Sequence, residues 1–140
     1  MRFLTLDDIC DINRDWIQRY GGRYVAADRN LCNRASLEFI LAAIQFPIFG
    51  MERFPGLIDK ASALAWWIIE GHVFYDGNKR TGMQSAIELL ELNDVIAHFD
   101  IESAIEISMA VASGQISVKE LSSVISMYVG QRIGGPYQML

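Results

Sequence analysis

The sequence predicts an all-α protein, a compact bundle of about six helices with one short hairpin flap. Apolar residues recur at three- and four-residue spacing along most of the 140-residue chain, which places them on one face of a helix. Residues that favour helix starts and ends bound these segments. The exception is 46-FPIFGMERFPG-56, in which two prolines and two glycines interrupt the pattern. We expect a surface loop or a short hairpin flap there.

The first two helices are bounded by recognisable start and stop residues. The first is expected to start after Thr5, a good N-cap residue, and to end at the glycine pair 21–22. Four apolar residues share one face of this helix: Ile9, Ile12, Trp16 and Tyr20. A polar loop then leads to a second helix over about 31–45, which Pro47 stops because proline cannot continue a helix.

The next two helices are expected at the centre of the bundle. The segment at about 57–70 is apolar on nearly every face, which is typical of a helix surrounded by others. A fourth helix follows at about 78–92, and the pair Asn93-Asp94 favours a turn after it. Four of its residues are expected to point inward: Met83, Ala86, Ile87 and Leu90.

The last third of the chain predicts two more helices and a tail. Asp100 is expected to cap a fifth helix that ends at Gly114. The run S-V-K-E at 117–120 is a capping box, and it predicts a sixth helix that ends at Gly130. Residues 130–140 are expected to be a frayed end.

The composition indicates one globular domain over residues 1–140. Hydrophobic residues make up 51% of the chain and charged residues 21%, which is enough apolar material for a real core. The formal net charge is −5, whereas nucleic-acid-binding domains carry a basic surface. We therefore expect no direct contact with nucleic acid.

No segment suits a membrane span or a secretory signal. The most apolar stretch, 63-ALAWWII-69, is far shorter than the roughly 20 apolar residues that cross a bilayer. The first ten residues include two aspartates and lack the apolar run of a signal peptide. Cys10 and Cys32 belong to no metal or disulfide motif and are expected to be buried free thiols. A soluble, cytoplasmic protein is expected.

The loop 71-GHVFYDGNKRTG-82 carries the chemistry that the rest of the chain lacks. A helix that starts near Asn78 offers unpaired backbone N–H groups and a dipole that favours an anion. Gly77 permits close approach, and Lys79 and Arg80 add two cations. Cations oppose the dipole at this end of a helix, so the combination is more typical of a polyphosphate site than of a stable cap. For Lys79 and Arg80 alone, an exposed charged turn is the simpler interpretation.

Three further interpretations of this loop can be compared. The spacing of its glycines does not fit a Walker P-loop. His72 and Asp76 are too few for a transition-metal site, but one carboxylate beside phosphates suits Mg²⁺. His72 is then available as a general base near neutral pH. Phe74 is expected to face the core, and His98 to be a packing or surface residue.

The run 72-HVFYDGNKR-80 resembles the signature of the Fic/Doc family, His-x-Phe-x-Asp/Glu-Gly/Ala-Asn-Gly/Lys-Arg. It is most similar to the Doc branch, the death-on-curing toxins, because Lys79 stands where most Fic proteins carry glycine. The resemblance covers roughly residues 20–128. It includes, in the family's order, the flap segment, an Ala- and Leu-rich helix, the motif, and the run 89-LLELND-94.

The resemblance implies an all-α fold and a role for each motif residue. His72 is implied as the general base that activates a target hydroxyl, and Phe74 as the anchor of the loop in the core. Asp76 is implied to bind Mg²⁺. Four residues are implied to shape the anion hole and to hold the polyphosphate of ATP: Gly77, Asn78, Lys79 and Arg80. The flap is implied to position an extended segment of the target by strand-like pairing.

The resemblance also implies a function and partners. Doc-type proteins are protein kinases that phosphorylate a threonine of elongation factor Tu and arrest translation, whereas most Fic proteins transfer AMP from ATP. The chain has no convincing copy of the inhibitory helix that many Fic enzymes carry, which fits a toxin restrained by a separate cognate antitoxin. The expected function is therefore a Doc-type kinase toxin. The alternatives are a Fic-type adenylyltransferase and a catalytically silent interaction protein.

Overall fold

Six α-helices dominate the computed structural model, which describes residues 1–132. The all-α prediction is confirmed, with the addition of two short strands. The helices are α1 Leu6–Tyr20, α2 Arg34–Gln45, α3 Leu57–Glu70, α4 Asn78–Leu92, α5 Ile101–Ala112 and α6 Val118–Ser126. The strands are β1 Val95–Ala97 and β2 Val129–Arg132. None of the described helices is both long enough and apolar enough to cross a membrane.

Side-chain caps fix three of the helix starts where the sequence predicts them. At α1, the Thr5 hydroxyl accepts a hydrogen bond from the Asp8 N–H at 3.1 Å, and the Asp8 carboxylate accepts one from the Thr5 N–H at 2.7 Å. Ser117 and Glu120 form the same box at α6. Asp100 caps α5. Backbone N–H groups donate to the carboxylates of Asp100 and Glu120, and these bonds hold the pKa of each below its ordinary value.

The second helix starts three residues later than predicted, because the chain before it is extended. Asn33 caps α2 by accepting a hydrogen bond from the Ser36 N–H. Before it, the Cys32 and Asn33 N–H groups both donate to the Val73 carbonyl, at 2.8 and 3.0 Å. These residues are therefore paired with the motif loop and cannot join the helix. The prediction that both cysteines are buried is wrong for Cys32, which is exposed.

The C-terminal part of the described chain differs from the prediction. Helix α6 ends at Ser126 and not at Gly130, because β2 leaves the helix and pairs antiparallel with β1. Val129 lies opposite Ala97 in this pair. The expectation of a frayed end from residue 130 is thus wrong for 130–132, and its remainder, 133–140, lies outside the described residues.

Helix α3 forms the centre of the core, as its apolar faces predict. Six of its residues are almost fully buried: Ala61, Ala63, Leu64, Ala65, Ile68 and Ile69. Each buried Leu or Ile of this kind contributes about 1.5–3 kcal/mol. Helix α4 packs closely on it at Gly82, where a Cβ atom would lie 2.7 Å from Ile69 Cγ1. The two helices joined by the motif loop are therefore held tightly together, and this fixes both ends of the loop.

The predicted flap is a short hairpin. Ile48 and Met51 exchange two backbone hydrogen bonds of 2.9 Å, and the two residues between them, Phe49 and Gly50, both have positive φ. This combination is typical of a two-residue hairpin turn. Behind the hairpin, the buried ammonium group of Lys60 donates to the Glu52 carboxylate at 2.8 Å. The ion pair ties the flap to α3.

Candidate functional site

The motif loop, residues 71–77, forms one wall of an open cleft of about 780 Å³. The C-terminal half of α1, the first turn of α4 and one face of α5 form the others. The structure brings all six predicted site residues to this cleft: His72, Asp76, Gly77, Asn78, Lys79 and Arg80. They do not have the same role in it, because some hold the loop in shape and others face solvent.

Asn78 closes the loop on itself. Its side-chain oxygen accepts a hydrogen bond from the Phe74 N–H at 2.8 Å, and its Nδ2 donates to the Phe74 carbonyl at 2.7 Å. The Phe74 side chain is 2% exposed, so the prediction that it faces the core is confirmed. Phe74 also forms an isolated β-bridge with Leu31. One N–H of the Asn78 amide remains for a ligand, because the group has two.

The carboxylate of Asp76 is held rigidly at the edge of the cleft. Its Oδ2 accepts a hydrogen bond from the Arg23 N–H at 2.8 Å, and its Oδ1 accepts one from the Gly77 N–H at 2.9 Å. At Gly22, a Cβ atom would lie 2.6 Å from Asp76 Oδ2, so the chain passes very close to this group. Each oxygen keeps a further lone pair, because a carboxylate offers about four acceptor sites.

This arrangement fits Mg²⁺ better than a transition metal. Within residues 1–132, no three His, Cys, Asp or Glu side chains come together as a metal site. One fixed carboxylate beside cations that attract phosphates is the donor set that Mg²⁺ uses, with phosphate oxygens and waters as its other ligands. Asp76 is the residue that would hold the ion.

Two buried asparagines lie beneath the loop and were missed by the sequence analysis. Asn13 and Asn30 are both 0% exposed. Asn13 Nδ2 donates to the Asp76 carbonyl at 2.9 Å and to the Thr81 hydroxyl at 3.1 Å. Asn30 Nδ2 donates to Asn13 Oδ1 at 3.0 Å, and Asn30 Oδ1 accepts from the Val25 N–H at 2.8 Å. Through these bonds, Asn13 of α1 connects Asn30 of the α1–α2 connection and Thr81 of α4 to the backbone of the motif loop at Asp76.

Gly77 is required by the fold itself, whereas the sequence analysis expected it to permit the close approach of an anion. Its φ is +81°, a conformation that side chains rarely adopt. A Cβ atom there would lie 3.0 Å from Asn13 Nδ2 and 3.2 Å from Ile17 Cδ1. The missing side chain therefore lets α1 approach the loop.

Lys79 and Arg80 form the cationic end of the cleft. Both side chains are exposed in the first turn of α4. The guanidinium carbon of Arg80 lies 4.9 Å from the ring centre of Tyr20 and 5.8 Å from that of Trp16, so the two aromatic rings of α1 hold it by cation–π contact. Neither cation forms an ion pair with a side chain that the structure describes. Both are available to an anionic ligand.

His72 lies at the other end of the loop, next to the end of α3. Its side chain is exposed in the cleft, and its φ is +46°. A left-handed backbone is uncommon for a residue with a side chain and is concentrated at functional sites. The second histidine, His98, is also exposed but follows β1, and it is not among the residues that line the cleft. The prediction of a packing or surface role for His98 agrees with this position.

The match to a family model and the matches to known proteins agree with one another. A sequence model of the Fic/DOC family matches residues 3–90, which include the flap and the motif loop. The chain is 29% identical over 109 residues to "Toxin Doc" of Mycolicibacterium smegmatis, covering 76% of this chain and 80% of that protein. It is 28% identical over 130 residues to "Protein kinase doc" of Escherichia phage P1, covering 93% of this chain and 98% of that protein.

Proposed function

Because the chain belongs to the Fic/Doc family, we propose that it is a Doc-type toxin that phosphorylates a protein. The proposed reaction transfers the γ-phosphoryl group of ATP to a hydroxyl of the target, by resemblance a threonine of elongation factor Tu. The proposal rests on one observation: a single cleft is lined by His72, by Asp76 and by the two cations Lys79 and Arg80. The names of the two relatives, a toxin and a protein kinase, agree with it.

Each end of the cleft has a separate task in this reaction. His72 accepts the proton of the target hydroxyl as the hydroxyl oxygen attacks the γ-phosphorus in line, and ADP leaves. Lys79 and Arg80 hold the phosphate chain and stabilise the negative charge that develops on it. Mg²⁺, when bound, supplies further charge neutralisation at the phosphate oxygens, and Asp76 is the carboxylate that would hold it.

The flap is proposed to hold the target. Three of its apolar side chains, Phe49, Met51 and Phe46, are largely exposed. An extended segment of the target would add to the exposed edge of the hairpin through main-chain hydrogen bonds. By resemblance, this pairing would present a target hydroxyl to His72.

ATP labelled at either the α- or the γ-phosphate tests the reaction on purified elongation factor Tu. We expect label on the protein from γ-labelled ATP alone. Transfer of the α-label would show an adenylyltransferase of the Fic type, which is the second candidate because the same residues could hold ATP in the opposite direction. Absence of both labels, with a folded protein and an intact motif, would favour a silent interaction protein. The His72→Ala variant is the control for contaminating kinases.

A further inference from the structure

The flap, residues 46–56, depends on the helices behind it for its position. In the described part of the chain, the two bonds between Ile48 and Met51 are the only backbone hydrogen bonds that stay within the flap. A two-stranded hairpin of this kind is marginally stable by itself in water. Its position must therefore be set by side chains at its base.

The ammonium group of Lys60 supplies two contacts to the base of the flap. Lys60 is 4% exposed, and its Nζ donates to the Glu52 carboxylate at 2.8 Å and to the Phe54 carbonyl. Both acceptors belong to the part of the flap that returns from its tip to α3. Hydrogen bonds with an ionised donor are roughly twice as strong as neutral ones. One side chain of α3 therefore fixes two points of the flap.

Stability alone does not explain a lysine at this position. Lys60 lies beside Ala61 and Ala63, which are both 0% exposed, and the loss of water around its charge offsets much of what the two bonds contribute. An apolar replacement of a buried ion pair is often neutral or stabilising. The side chain of Glu52 is 49% exposed, so water can solvate it when its partner is removed. A methionine would therefore suit the core about as well, but it could not bind the flap.

Helix α3 connects this anchor of the flap to the motif loop. Lys60 lies near the start of the helix, and its last residue, Glu70, is followed directly by the loop that carries His72. At 1.5 Å per residue, the helix between Lys60 and Glu70 spans about 15 Å. Most of α3 is buried, so this separation is fixed by the core. A flap that is bound to Lys60 is thus held at a constant offset from the motif loop.

We propose that Lys60 is a positioning residue, which holds the flap where a paired target segment presents its hydroxyl to His72. This rests on the proposed function, in which the flap holds the target. Lys60 does not touch the reacting atoms and acts through Glu52 and Phe54. Without its ammonium group, the hairpin takes several positions, and only the fraction with the flap in place binds the target. The apparent affinity for the target falls in proportion to that fraction.

Kinetics of Lys60→Met with elongation factor Tu and ATP test the proposal. The substitution keeps a side chain of similar length and removes the ammonium group. The KM for the target should rise about 5- to 50-fold, which corresponds to a competent fraction of about 2–20%. The kcat and the KM for ATP should stay close to the wild-type values, because the motif loop is unaltered. A merely structural role would lower the yield of folded protein and leave the KM for the target unchanged.

Two variants of Glu52 separate the bond to Lys60 from the stability of the fold. Glu52→Ala removes one acceptor at a half-exposed position, so the protein should fold, and the KM for the target should rise. Glu52→Gln keeps an oxygen that accepts from the ammonium group and should lie closer to the wild type. Asp11→Ala removes another exposed carboxylate, which pairs with Arg14 in α1. It is the control and should behave like the wild type.

Hydrogen exchange measures the fixation of the flap without any reaction. The N–H groups of Ile48 and Met51 should exchange faster in Lys60→Met, whereas the motif loop should exchange as in the wild type. Unchanged exchange in the flap, or an unchanged KM for the target, would overturn the role of Lys60. If Lys60→Met does not fold, the same two measurements on Glu52→Ala decide. If the wild type modifies no target, the proposed function fails, and the exchange rates still decide whether Lys60 fixes the flap.

Discussion

His72 is the residue on which the proposed chemistry depends most. Replacement by alanine should lower phosphoryl transfer by about 10²–10⁴-fold, the usual contribution of a general base. The side chain is exposed, so the helical circular dichroism should be retained. His98→Ala removes the other exposed histidine and is the matched control. Full activity of a folded His72→Ala protein would remove this residue from the mechanism.

Asp76 and Arg80 should contribute to nucleotide binding in distinguishable ways. Asp76→Asn keeps one oxygen, which can accept from one of the two backbone N–H groups that Asp76 binds, and removes the negative charge, so ATP should bind more weakly only when Mg²⁺ is present. Arg80→Ala should weaken ATP binding with or without Mg²⁺, since a direct phosphate contact is lost. Calorimetry under both conditions measures the two effects. Unchanged affinity in both variants would place the phosphate site elsewhere.

The six residues predicted from the sequence all line one cleft in the structure, but the residues that support the loop were missed. The six site residues are contiguous or nearly so, and their residue types together indicate an anion site. Asn13 and Asn30 are distant from them along the chain, and only the fold brings the three segments together. One signal was present: Asn13 stands among Ile9, Ile12 and Trp16 on the apolar face of the first helix. A polar residue on a buried face needs partners.

At the scale of elements, the contact between α1 and the motif loop should matter for both stability and binding. Asn13→Ala would leave the Asp76 carbonyl and the Asn30 amide with fewer hydrogen bonds in a buried place. Such losses cost about 1–3 kcal/mol each. We expect lower stability in urea and weaker Mg²⁺-dependent ATP binding, because the Asp76 carboxylate is less well positioned.

A surface variant of the same helix is the control for Asn13→Ala. Asp11→Ala removes an exposed ion pair with Arg14, which is worth about 0–1 kcal/mol at most. It should leave both measurements nearly unchanged. If Asn13→Ala and Asp11→Ala behave alike, the buried network does not position the loop.

The elements that the sequence predicted well are those with local signals. The caps at Thr5, Asp100 and Ser117 lie within three residues of the groups that they bind, so the local sequence specifies them. The β1–β2 pair joins segments more than thirty residues apart, and Val95–Ala97 is only three residues long. A strand of three residues is too short to show the alternation of apolar and polar residues by which strands are recognised in a sequence. Its partner is supplied by tertiary packing alone, which explains why a longer sixth helix was expected.

At the scale of the whole molecule, an acidic chain of net charge −5 presents two cations, Lys79 and Arg80, in an open cleft, and neither pairs with a carboxylate among residues 1–132. As the toxin that we propose, the chain should have this site covered by a second protein, the cognate antitoxin. We expect its disordered segment to fold on exposed apolar side chains of the flap, Phe46 and Met51, and of α2, Phe39.

Growth assays test this restraint directly. Expression of the chain alone should arrest growth, and co-expression with its cognate antitoxin should restore it. The His72→Ala variant should be harmless in both cases. A wild-type protein that is harmless at high expression would contradict the toxin function.

Phe49 is the residue of the flap at which selection for stability and selection for function should oppose each other. It is 99% exposed and has φ of +51°, a conformation that costs a residue with a side chain about 1–2 kcal/mol. Glycine or asparagine would suit the turn better. Under selection for heat tolerance alone, Phe49 should therefore be replaced by one of these two residues. A population selected to keep the growth-arrest phenotype should retain an aromatic residue at position 49. The two populations would therefore diverge first at the tip of the flap.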